Sequence, residues 1–186
     1  MLKITRRKNN LLKNSINYKT VMGVFDGKFC TPDDLPKKHR RKYVNSISYL
    51  KKNQLLEIKN SCLSLSDNGI WSVICAKLEI SFFALWVIAD MYVLEKYSRQ
   101  HNTSGNYPVE TIGKRFEDII SANSFKEPLV LLLRQNLIFR TSPKSYKLHS
   151  MQFESLKQYD KHLTRLQKHT CKLSTKCLEK TVDSIT

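Results

Sequence analysis

Two stretches of this chain follow one grammar, and that repetition constrains the fold more than any single residue does. Residues 49–69 read YLKKNQLLEIKNSCLSLSDNG, and residues 131–150 read LLLRQNLIFRTSPKSYKLHS. Each begins with the tail of a helical pattern and passes through polar residues into an apolar pair. Each then crosses a polar corner and leaves along alternating apolar positions. Leu63 and Leu65 alternate with Ser64 and Ser66, the period-two signature of a half-buried strand. Leu55-Leu56 aligns with Leu137-Ile138 at an offset of 82, and Leu63 and Leu65 align with Tyr146 and Leu148 at an offset of 83. The second corner is therefore one residue longer. A period of about 80 residues is too long for a solenoid. It fits two copies of one small domain, each a helix feeding a two-stranded hairpin.

The residues ahead of the first hairpin set out its helices. Residues 10–25 place Leu12, Ile16, Val21, Met22, Val24 and Phe25 at roughly helical spacing, and Asp26-Gly27 ends the run. Thr31 suits an N-cap, Pro32 the first helical position, and Asp33 and Asp34 the positive end of a helix dipole. Pro36 cuts that helix short. A longer helix follows over residues 37–54, with Tyr43, Val44, Ile47 and Leu50 predicted as its buried stripe.

The stretch after the first hairpin differs in detail. Gly69 to Gln100 is mostly apolar and helical in character, and divides into two helices. Its most apolar run, Ile80 to Leu94, contains Asp90 and is too short to span a bilayer, so a buried helix is expected. After a loop over 101–108, residues 109–120 read as a helix with Ile112, Phe116, Ile119 and Ile120 on one face. Ser124 to Glu127 has capping-box spacing and opens a helix with five consecutive apolar residues, Leu129 to Leu133. A helix apolar all round is buried, so this one is expected to lack a polar reading face.

Charge points to the partner. The chain has 186 residues, 32 Lys and Arg against 16 Asp and Glu, and a formal net charge of +16. Residues 1–60 hold 15 of the cations and 4 of the carboxylates, while residues 61–120 hold 5 and 7. A basic surface attracts polyanions, and here it is built mainly from the N-terminal third. At about 100° per residue, the side of the third helix away from its apolar stripe collects Lys38, Arg41, Lys42, Asn45, Ser48, Tyr49 and Lys52. That face has cations and no carboxylate, whereas a merely solvated face mixes signs.

The order helix, short helix, helix, hairpin over residues 10–70 resembles winged-helix transcriptional regulators of prokaryotes and archaea. The resemblance rests on TPDDLPKKHRRKYVNSISYLKKNQLLEIKNSCLSLSDNG, with its Leu50 to Leu56 and Leu65 to Gly69 steps. Residues 80–150 match less closely. The resemblance implies a mainly α fold with short β-hairpin wings: two tandem winged-helix domains plus a C-terminal helix. The corresponding division is a basic arm over 1–9, a DNA-reading domain over 10–77, a structural or dimerising domain over 78–150, a helix over 151–180 and a tail over 181–186. Double-stranded DNA is the implied partner. Arg41, Lys42 and Asn45 are expected to read base edges in the major groove. Ser48, Tyr49, Lys38 and Lys52 would flank them. Lys59, Asn60 and Ser61 at the wing tip would sit near phosphates, and Arg6 and Arg7 in the arm would neutralise backbone or enter the minor groove.

In the last helix Leu156, Tyr159, Leu163, Leu166, Thr170, Leu173 and Cys177 follow coiled-coil spacing. They form either a dimer seam or a stripe packed on its own domain, and the two-fold symmetry of DNA half-sites favours a homodimer. Five cysteines without paired rhythm suggest reduced thiols in a cytoplasmic, nucleoid-associated or other intracellular setting. No secretory signal, membrane span, phosphate loop or nucleophile–base motif is visible, and His162, His169, Cys171 and Cys177 lack zinc-site spacing. No enzyme activity, metal or cofactor is expected. The alternatives to a regulator are a tandem winged-helix adaptor that binds protein through its second domain, and a plasmid or viral replication initiator.

Overall fold

The computed structural model describes residues 15–111 and 126–173. The chain divides into two compact units, Met1–Leu78 and Glu79–Thr186. Each is mainly helical with one small antiparallel sheet.

In the first unit, α1 (Ile16–Phe25) is capped by Ser15, whose Oγ accepts from the Tyr18 N–H at 3.1 Å. It ends where Gly27 takes a left-handed conformation (φ 71°) and the Lys28 N–H reaches back to the Gly23 carbonyl at 2.8 Å. Pro32–Asp34 is a single 3-10 turn closed by a capping box, because Pro36 forbids its extension. Helix α2 (Arg40–Lys52) follows, then strands β1 (Leu56–Lys59) and β2 (Cys62–Leu65), and α3 (Asp67–Leu78). The core joins Val21, Leu35, Ile47, Leu50, Leu55, Leu56, Leu63 and Val73. Tight packing makes a glycine-specific demand where α3 meets backbone. A Cβ on Gly69 would lie 2.0 Å from the Leu55 carbonyl oxygen, so α3 can start beside β1 only without a side chain there.

The second unit is organised around α4 (Phe82–His101), which buries Ala84 through Tyr92 almost without interruption. Strand β3 (Tyr107–Pro108), α5 (Lys126–Arg134), β4 (Ile138–Ser142), β5 (Ser145–Leu148), α6 (Ser150–Leu156), a 3-10 turn (Lys157–Tyr159) and α7 (Asp160–Leu173) follow. The sheet order is β3-β5-β4, all antiparallel. Asp90, inside the apolar run, accepts a hydrogen bond from the Tyr107 hydroxyl at 2.9 Å, which ties the central helix to the sheet. Lys96 bonds Asp160 at 2.7 Å and ties α4 to α7. That bond holds the Asp160 carboxyl below the usual carboxylate range, and burial together with the Asp160 charge pushes the Tyr92 hydroxyl up to about 12. Among the described residues no single helix is long and apolar enough to cross a membrane.

The repeat seen in the sequence is present in the backbone. At the end of α2, Gln54 is left-handed (φ 58°), the Leu55 N–H donates to the Leu50 carbonyl at 2.9 Å and the Gln54 N–H to that of Lys51 at 3.0 Å. At the end of α5, Asn136 is left-handed (φ 51°), and Leu137 donates to Leu132 and Asn136 to Leu133, both at 3.0 Å. Both are Schellman closures in which an apolar residue after the helix folds onto one inside it. Leu56 then pairs with Leu65, and Ile138 with Leu148. The Ser66 N–H closes on Leu55 and the His149 N–H on Leu137, at 3.2 and 3.1 Å.

Several expectations are corrected. Val44 is not in the buried stripe: it is 45% exposed, and Ser46 takes the core position, donating to Asn17 Oδ1 at 2.7 Å. Helix α5 is not buried all round. Leu129 and Leu132 face the core, while Val130 is 45% exposed. The hairpins carry a third strand position. It is β3 in the second unit, and in the first it is the Cys30 carbonyl, which accepts from the Leu63 N–H at 2.7 Å. The extra residue of the second hairpin sits in a bulge between Arg140 and Ser142, and both turns themselves have two residues. The expected terminal helix is present, running from α6 through a 3-10 turn into α7. Its seam is filled from within the second unit: Leu156, Tyr159, Leu163 and Leu166 are buried, and α7 packs on α4. Those four side chains therefore do not offer a dimer surface, because an apolar stripe is covered once. The side chain of Leu173, residues 112–120 of the helix expected over 109–120, Ser124 and the arm with Arg6 and Arg7 lie outside the described residues.

Two outcomes follow from this packing. Gly69→Ala is expected to destabilise the chain by about 1–3 kcal/mol through overpacking against backbone, read as a lowered urea midpoint. Asp160→Asn is expected to lower the midpoint at pH 7. Because the folded-state pKa is depressed, the carboxylate's contribution is present above about pH 4 and is lost as pH falls through the lower folded value. The gap between Asn variant and wild type should therefore narrow in unfolding curves below pH 4.

Candidate nucleic-acid interface

Helix α2 has one face fixed by the core and one free. Ser46, Ile47 and Leu50 are buried and Tyr43 half-buried, where its ring meets Phe29 edge-on at 5.6 Å. The opposite face exposes Arg41, Lys42, Asn45, Ser48, Tyr49, Lys51 and Lys52, with Tyr49 at 54%. No carboxylate occurs anywhere in the helix. The residues expected to read bases thus share one exposed surface. Lys51 was missed by the sequence reading and belongs to it too. Lys38 is exposed but lies two residues ahead of the helix, which begins at Arg40.

The start of α2 is built against its own dipole. His39 precedes it in a left-handed conformation (φ 70°), provides no side-chain cap, and is followed by Arg40, Arg41 and Lys42 with no acidic residue in the first turn. Cations at a helix N-terminus are unfavourable by about 0.3–1 kcal/mol each. Arg40 offsets this by bonding Asp33 at 2.7 Å and the Pro32 carbonyl at 3.4 Å. It therefore positions α2 against the 3-10 turn, which Asp34 in turn holds by accepting from the Thr31 N–H at 2.6 Å and the Cys30 N–H at 3.0 Å. Those bonds, Thr31's first, lower the Asp34 pKa. Arg41 and Lys42 make no ion pair with a described residue. A cation cluster kept at the wrong end of a helix is a local conflict of the sort that marks function.

The hairpin tip is a two-residue turn. Asn60 (φ 50°) and Ser61 (φ 63°) are both left-handed between paired Lys59 and Cys62, the type I′ geometry that matches strand twist. Asn tolerates it; Ser does so at a cost. All three tip residues are exposed. Lys59 is not free: its ammonium bonds Glu57 at 2.6 Å, which raises its pKa through that bond and the carboxylate's charge. A phosphate contact there would exchange one anion for another.

The matching surface of the second unit has other chemistry. Where α2 carries Asn45, Ser48, Tyr49, Lys51 and Lys52, α5 carries Glu127, Val130, Leu131, Leu133 and Arg134. In its hairpin the Arg140 guanidinium donates to the Tyr146 hydroxyl at 3.0 Å, and Lys147 lies 3.9 Å from the buried Glu95 carboxylate. Lys144, at the turn, is exposed, as is Arg140. No three His, Cys, Asp or Glu among the described residues are grouped to hold a metal ion. Comparisons with protein families, characterised proteins and solved structures find no match for this chain.

The tip geometry makes one prediction. Ser61→Gly is expected to raise stability by about 0.5–1 kcal/mol, since glycine adopts positive φ without Cβ strain. Urea denaturation of the purified variant reads it directly.

Proposed function

We propose that this chain is a double-stranded DNA-binding protein, a transcriptional regulator made of two tandem winged helices. The observation that carries the reading is the free face of α2: Arg41, Lys42, Asn45, Ser48, Tyr49, Lys51 and Lys52 exposed together, without a carboxylate, on a helix whose other face is locked into a core. A helix of this size fits the major groove of B-DNA, where Arg, Lys and Asn pair with base edges. Its N-terminal half, with Arg41, Lys42 and Asn45, is the half that recognition helices present to bases. Ser48, Tyr49, Lys51 and Lys52 suit phosphate and sugar. Asn60 and Ser61 at the hairpin tip reach the backbone beside the groove. The winged-helix reading is further supported by the shared order of helix, strand position, helix and hairpin, and by the antiparallel third strand against the hairpin.

A second reading concerns the second unit alone. The exposed Val130 between half-buried Leu131 and Leu133 favours a role in contacting protein, as in an adaptor.

The test is binding to random-core duplex DNA over a salt series. Affinity is expected to fall steeply with salt, as cations displace condensed counterions. Replacing Arg41, Lys42 and Asn45 together with Ala is expected to lower affinity for a selected duplex roughly ten-fold or more, since each base contact contributes about 1–3 kcal/mol. Lys59→Ala should weaken all sequences alike. Full affinity in the triple variant would sink the assignment. Promoter or origin location of the selected sequences separates a regulator from a replication initiator.

A further inference from the structure

The most unusual position on the basic face is its one aliphatic residue. Val44 is 45% exposed, while the neighbouring Ser46 is 3% exposed and hydrogen-bonded inside the core. The helix has turned a polar residue inward and a β-branched apolar one outward. At about 100° per residue, Arg41, Val44, Asn45, Ser48 and Lys52 all fall within about 60° of one line along α2. Val44 thus stands among the residues assigned to bases, in the N-terminal half of the helix, one position before Asn45. Valine is also a poor choice for helix propensity at a solvated site.

We propose that Val44 is a specificity residue that contacts the C5-methyl group of a thymine in the major groove. The proposal rests on the DNA-binding reading above. Of the base edges exposed in that groove, only thymine presents a methyl group, and an apolar side chain is the complement of that group. Asn45 beside it suits adenine, whose N6 and N7 it can engage bidentately. The pair would favour a site with thymine and adenine close together. The charge of the surrounding face commits the occupant to a polyanion. The narrow, deep major groove of A-form RNA does not admit a helix, and uracil lacks the methyl group, so double-stranded RNA is disfavoured.

The experiment selects a bound duplex from a random-core thymine-containing pool with the full chain. It then replaces each thymine of that duplex in turn by deoxyuridine, which removes only the methyl. At one position wild-type affinity is expected to fall about four-fold, the worth of one buried methyl. Val44→Ser, chosen because serine and valine have similar helix propensity, should bind the thymine duplex about four-fold more weakly and be indifferent to deoxyuridine at that position. If a duplex is bound tightly and depends on Arg41 and Asn45, yet every deoxyuridine replacement leaves the wild type unaffected, the thymine contact is wrong and the DNA-binding reading stands. An equal deoxyuridine loss in Val44→Ser and wild type also overturns it, since the methyl would then be read by another residue. If no duplex is bound, both readings fall.

Discussion

The closure at the end of α2 is the constraint on which the first unit depends. With Gln54 left-handed and the Leu55 N–H on the Leu50 carbonyl, the helix stops and its last core leucine meets the first leucine of the hairpin. Two things are fixed at once. The hairpin leaves with Leu56 facing the core opposite Leu65, and the helix cannot rotate, because Leu50 is held at its C-terminal end and Ile47 one turn earlier. Which residues face solvent follows from that lock. The exposure of Arg41, Asn45 and Ser48 is the far side of a packing decision made by leucines.

The same closure recurs at Asn136 and Leu137, so one backbone device carries two surfaces. Ile47 and Leu50 correspond to Leu129 and Leu132, all buried to a similar degree. The core face is thus conserved between the copies while the outer face is rewritten, from Asn45, Ser48, Tyr49 and Lys51 to Glu127, Val130, Leu131 and Leu133. Core positions answer to packing, which is shared; outer positions carry no such constraint. The second unit also closes its sheet more fully. Its β3 pairs along β5, where the first unit has a single bond from Leu63 to Cys30. Its added helix α7 covers α4 with the apolar stripe that sequence spacing alone had left open to a second chain.

Stability and the basic surface pull in opposite directions at Arg40, Arg41 and Lys42. Three successive cations face the positive end of a helix dipole, and among the described residues only Arg40 is paired, to Asp33. The 3-10 turn with its capping box absorbs part of that cost by anchoring Arg40 from outside the helix. A polyanion laid along this face would relieve that repulsion.

The element order, the two corners and most core leucines were legible from residues alone. Helix and strand periods differ, proline and glycine punctuate them, and an offset of 82 or 83 is visible without coordinates. The basic character of one helix was legible too, because charge needs no fold to be counted. Three things were not. Whether Val44 or Ser46 faces inward turns on a small rotation of α2, set by the Leu50–Leu55 contact and by Asn17 waiting in α1 to receive the serine hydroxyl. Whether the leucine-rich α5 is buried on one side or all round depends on how many neighbours reach it, and Val130 has too few. Whether the stripe from Leu156 to Leu166 meets a partner or its own domain depends on the position of α4, far earlier in the chain. Sequence determines which residues are able to be buried and where the chain must turn. Tertiary structure decides which of them are buried, because burial is a property of pairs of surfaces and a sequence lists only one of each pair.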